Sequence, residues 1–66
     1  MIGKNYTVSH SRKGKFNIHV IHEDSTYVGG RIIKGSADAF LVENKREAGD
    51  TIAIRKSLCS FTEINS

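Results

Sequence analysis

Apolar and polar residues alternate along most of this chain, and the alternation predicts strands. Phe16, Ile18 and Val20 are interleaved with Asn17, His19 and Ile21, the period of a half-buried strand. Upstream, Asn5 to Ser9 reads as a first strand with Tyr6 and Val8 on one face, closed by the polar turn Ser11-Arg12-Lys13-Gly14. Glu23-Asp24-Ser25 marks the next turn, and Tyr27 to Lys34 a third strand interrupted by the pair Gly29-Gly30. Ala39 to Glu43 is expected as a fourth strand, followed by a charged loop from Asn44 to Asp50. Thr51 to Arg55 and Leu58 to Ile64 complete the series, with a break at Arg55-Lys56 between them. Ser36 to Ala39 leaves room for one helical turn capped by Ser36.

The chain has six glycines and no proline, so its bends must come from glycine. A glycine pair inside a strand lets a short sheet bend sharply enough to close on itself. The pattern therefore predicts an all-β fold, a small barrel of five to six strongly bent strands, with residues 1–66 as one domain. A domain of this size buries only about 60 % of the surface its unfolded chain exposes. The single Cys59 makes no internal disulfide, and no Cys/His set has the spacing of a structural zinc site. Association into a homo-oligomer is one way to bury more surface; a modestly stable monomer is the other. No apolar run is long enough for a signal peptide or a membrane span, so the expected location is the cytoplasm, with no membrane partner.

Chemistry is sparse. Ser, His and Asp are present, but none stands in a nucleophile-elbow context, and Gly29-Gly30 lacks the Gly-Lys-Ser/Thr ending of a phosphate loop. His19 and His22, three apart on a strand, are expected on opposite faces, where they do not share a metal without a bulge between them. Cys59 reads as a small filler of an alternating strand. The expectation is a non-enzyme with no cofactor and no metal.

Charge is the positive signal. Ten Lys/Arg stand against seven Asp/Glu. The cations gather as Arg12, Lys13 and Lys15 about the first turn, Arg31 and Lys34 on the bent strand, Lys45 and Arg46 in the loop, and Arg55 and Lys56 at the late break. Near Tyr6, Phe16 and Tyr27, such cations would hold phosphates while the rings stack bases, as small barrels do with single-stranded nucleic acid.

From Phe16 to Ile64 the pattern resembles the Sm-like fold, and its closing half most resembles the bacterial Hfq branch of that family. Phe16 to Ile21 resembles that family's first strand, Tyr27-Val28-Gly29-Gly30-Arg31-Ile32 its bent second strand, and Asp38-Ala39-Phe40-Leu41-Val42 its third. Ile54-Arg55-Lys56-Ser57-Leu58 resembles the second Sm signature. The resemblance implies an SH3-like or Sm-like barrel that assembles as a ring, with Arg55 and Lys56 where the family contacts RNA at the pore. Generic SH3-like barrels of the Tudor and KOW types share the bent strands and short turns.

Two functions are expected. One is that of a regulatory protein that binds RNA or single-stranded nucleic acid through Arg55, Lys56, Arg31, Lys34, Arg12, Lys13, Lys15 and Tyr27. The other is that of a protein-interaction module, a small inhibitor or assembly subunit that uses a sheet edge or the Tyr6/Tyr27 face.

Overall fold

The computed structural model describes residues 1–37 and 46–64. These residues form six antiparallel strands: β1 (Asn5–His10), β2 (Gly14–Glu23), β3 (Tyr27–Ala37), β4 (Arg46–Glu47), β5 (Thr51–Arg55) and β6 (Cys59–Glu63). A 3₁₀ turn, Lys56–Leu58, joins β5 to β6. The central order is β3-β2-β1-β6, and the far side of β3 pairs with β5 near its start and β4 near its end. No helix among the described residues is long and apolar enough to cross a membrane.

The alternation read from the sequence sets the two faces. Val8, Phe16, Ile18, Val20, Val28, Ile32, Ala37 and Ile54, contributed by β1, β2, β3 and β5, meet in one buried core. Met1, Tyr6, Ile52, Cys59 and Phe61 pack against its margin. Strands at opposite ends of a flat sheet do not share a core, so the sheet must curl.

Two bulges in the β2–β3 ladder accompany the curl. The pairing steps from Asn17↔Lys34 to Ile18↔Ile32, leaving Ile33 as an extra residue on β3, and from Val20↔Gly30 to His22↔Gly29, leaving Ile21 extra on β2. An extra residue bends its strand and steepens the local twist. Both extra residues are exposed isoleucines. At the second bulge the strands come close together: a Cβ on Gly30 would sit 2.8 Å from the His19 carbonyl oxygen, whereas one on Gly29 would meet nothing nearer than 3.5 Å.

Among the described residues the ladders do not close the curled sheet into the barrel expected from the sequence. The ladders leave β5 and β6 unpaired with each other, and the 3₁₀ turn bridges them instead. The 3₁₀ turn carries the chain round a corner, from pairing with β3 to pairing with β1, instead of reversing it into a hairpin. Two further expectations change. β3 runs on to Ala37, so Ser36 and Ala37 are strand rather than the start of a helical turn, and Ala37 belongs to the core. Within the expected charged loop, Arg46 and Glu47 pair with Ala37 and Ser36. The strand anticipated at Ala39 to Glu43, and Lys45, lie outside the described residues.

Because Gly30 faces backbone, Gly30→Ala is expected to lower unfolding free energy by about 1–3 kcal/mol. Gly29→Ala should leave it unchanged or slightly raised. Urea denaturation of the two variants checks this, and equal losses would contradict the close approach at Gly30.

Candidate nucleic-acid interface

The register decides which side chains share the outer face. Directly paired residues point the same way, and with Val8, Ile18, Val20, Val28 and Ile32 inward, their neighbours in the sequence point out. One outer row runs Lys34, Asn17, Thr7, Thr62, and the next runs Thr51, Arg31, His19, Asn5. Beside the first lies Lys15, Ser9, Ser60; beyond the second lie Ala53, Gly29, His22 and then Arg55, Tyr27. None of these positions is acidic, but past Lys34 the outward Ser36 pairs with Glu47, the one acidic strand residue on this face among the described residues.

Five of the eight residues singled out in the sequence can be followed along this face, and two more lie on the turn at its end. Lys15 is the diagonal neighbour of Lys34 across the ladder, a separation of roughly 7–8 Å. Arg31 stands beyond the Ile33 bulge on the same strand, and Tyr27 and Arg55 close the far end. The stripe from Tyr27 to Lys34 is about 20 Å long, from the rise of an extended strand. Arg12 and Lys13 extend it past Lys15 on the β1–β2 turn. No described carboxylate lies within 4.0 Å of the charged atoms of Arg12, Lys13, Lys15, Arg31 or Lys34.

Arg55 and Lys56, adjacent in sequence, are parted by the corner. The Arg55 guanidinium lies over the Tyr27 ring, 5.6 Å from its centroid, and its Nη2 donates to the Tyr27 hydroxyl at 3.2 Å. An arginine so stacked keeps a fixed fork of donors. Lys56 turns to the mouth of the curled sheet, where its ammonium meets Glu23 Oε2 at 2.6 Å and the chain's amino group meets Glu23 Oε1 at 3.4 Å. The Lys56 hydrogen bond holds the Glu23 carboxyl below its usual range. An anion at Lys56 would have to compete with that carboxylate.

The rings expected to stack bases are engaged. Phe16 is buried, Tyr6 points inward and packs edge-on against Phe61 with centroids 6.2 Å apart, and Tyr27 lies against Arg55. The histidines also differ from expectation. The bulge at Ile21 turns His22 to the same outer face as His19, so the two are not opposed. His19 Nδ1 is hydrogen-bonded to Asn5 Oδ1 at 2.7 Å, and His22 Nε2 lies 3.5 Å from Asp24. The described residues contain no group of three or more potential metal ligands. Burial pushes the Cys59 thiol up, away from the reactive thiolate.

Sequence reasoning missed His10. It is a buried polar residue whose Nδ1 accepts hydrogen bonds from the backbone N–H groups of Arg12 at 3.0 Å and Lys13 at 3.1 Å. It thereby shapes the turn that carries both cations, helped by Gly14 at φ 86°. Asp24 does the same for the next hairpin, accepting from Thr26 and Tyr27 at 2.8 and 2.6 Å. Both are side-chain mimics of a backbone turn. A histidine at the last position of a strand before a Gly-containing turn was the available signal.

The chain matches no family model, no curated protein and no solved structure. Its function is therefore read from geometry and charge.

Only neutral His10 accepts those bonds. Burial, then Lys13 and Arg12, push its pKa below the ordinary 6.5. The unfolded chain thus takes up the proton first, so the His10 contribution is full above about pH 6.5 and is lost as pH falls through the lower folded value. The thermal midpoint of the wild type is expected to drop between pH 7.5 and pH 5 relative to His10→Asn, whose Oδ1 keeps an acceptor without titrating; the loss is on the order of 1 kcal/mol. Parallel pH profiles would count against this role for His10.

Proposed function

We propose that this protein is a non-enzymatic nucleic-acid-binding module, an RNA binder acting in the cytoplasm, that docks its ligand on the outer face of β1, β2 and β3. The observation that carries the reading is the cationic stripe of Lys15, Lys34 and Arg31 on an outer face whose one acidic strand residue among the described residues is Glu47 on β4, continued by Arg12 and Lys13 at one end and Arg55 at the other. Unpaired cations on a rigid sheet lose little on meeting phosphates, and each contact releases counterions. Tyr27 serves by positioning Arg55. Lys56 is the weakest contributor, since Glu23 already neutralises it.

Reading the chain as an SH3-like or Sm-like barrel draws support from a single curled sheet around one core and a corner made of strand, 3₁₀ turn and strand. Assembly into a ring would repeat the stripe around an axis and multiply its field. A second reading, protein binding by strand addition, is favoured by β6, which pairs on one side only, with β1, among the described residues.

Salt separates the two. Arg31→Ala with Lys34→Ala is expected to keep the thermal midpoint, weaken binding to single-stranded RNA, and reduce the slope of log K against log salt by about 0.7 per lost contact. Lys4→Ala removes one charge from the Lys4–Glu63 pair, 3.5 Å apart at the edge of the sheet, and should leave that slope in place. Filter-binding titrations across a salt series decide it. An unchanged slope in the double variant would exclude the stripe.

A further inference from the structure

Resting on the nucleic-acid reading, we infer that the outer face recognises the phosphodiester backbone and not the bases, so that one surface takes single strands and duplexes alike, without regard to sequence.

Recognition of a single strand by its bases needs exposed rings on which they stack, or a pocket that holds a splayed base. The one aromatic side chain on this face among the described residues is Tyr27, at the end of the stripe with the Arg55 guanidinium over its ring, so the face has no run of rings for successive bases. Its centre is built from Lys15, Asn17, His19, Arg31, Lys34 and Thr7, which are cationic, amide, imidazole and hydroxyl groups. These are the side-chain types that contact phosphate and sugar oxygens. The other described aromatic residues face elsewhere: Phe16 is in the core, and Tyr6 packs on Phe61 beneath the sheet.

Charge complementarity points the same way. Lys34 and Arg31 stand on successive outward positions of β3, with the Ile33 bulge between them, and Lys15 lies diagonal to Lys34. The cations thus form a line, the form that suits a polyanion running along the strand direction. His19 stands directly opposite Arg31, with its Nδ1 tied to Asn5, so the imidazole is held in place within that line. Asn17, opposite Lys34, places an amide beside the ammonium. A ligand held by such groups is held through oxygens repeated at every nucleotide. Any base sequence offers the same ones.

The test is fluorescence anisotropy at one fixed salt concentration, using labelled oligo(U), oligo(A) and a mixed-sequence RNA duplex of equal length, with inorganic polyphosphate as a base-free competitor. The expected result is that all three bind with affinities within about threefold, since stacking on rings, open to single strands and closed to a duplex, would separate the duplex by roughly tenfold per stacked base. Polyphosphate should displace each of them. Binding of one single strand more than tenfold tighter than the others, or failure of polyphosphate to compete, would overturn the inference while leaving nucleic-acid binding intact. If none of the three oligonucleotides bound, the nucleic-acid reading itself would fall, and this inference with it.

Discussion

Everything in this small sheet depends on how closely β2 and β3 approach where they bend. Gly30 lies against the His19 carbonyl with no room for a side chain, and the bulge residues Ile21 and Ile33 flank that contact on the two strands. The bend brings Val8 of β1 and Ile54 of β5 into a single core. The two bulges also set the parity of the residues beyond them: past Ile21, His22 faces outward, and past Ile33, Lys34 joins Arg31 on the outside while Ala37 reaches the core. A one-residue slip would reverse every such assignment, moving cations inward and core residues out. The core penalises that slip, so the outer face is as well defined as the core is.

The charges divide into two groups as a consequence. At the mouth of the curled sheet, Glu23 gathers Lys56 and the amino terminus, while Lys4 pairs with Glu63 across the edge. These contacts join the ends of strands together. On the outer face, Lys15, Arg31 and Lys34 have no described carboxylate within ion-pair distance, and Asn, Thr, Ser and His lie in the rows around them, with Glu47 at the β4 margin. A cluster of like charges left without partners weakens the folded state by its own repulsion. A polyanion relieves it. His10 and Asp24 hold the two hairpin turns at opposite ends of β2, and His10 fixes the one that extends the cationic stripe.

Strand positions were legible in the sequence wherever period-two alternation was strong, as from Phe16 to Val20, and the Gly29-Gly30 pair correctly marked the bend. What alternation could not reveal was the pair of bulges, because an extra Ile on an exposed face looks like an ordinary member of the strand. That hidden residue is why His19 and His22 were expected on opposite faces. The cations were legible as a set but not as a surface: Arg55 and Lys56 are neighbours in sequence, yet the 3₁₀ corner sends one onto Tyr27 and the other to Glu23. The aromatic residues misled for a related reason. Tyr6 and Phe16 looked available to bases, whereas the hydrophobic effect claims Phe16 for the core and turns Tyr6 to its edge.

The most direct test of this account is amide chemical-shift mapping of the labelled protein during titration with a short single-stranded RNA. The largest shifts are predicted to fall on the outward positions of β1, β2 and β3, centred on Lys15, Asn17, His19, Arg31 and Lys34, and to extend to the Arg12-Lys13 turn. Shifts confined to the β6 edge from Cys59 to Glu63, or to the mouth around Glu23 and Lys56, would contradict it.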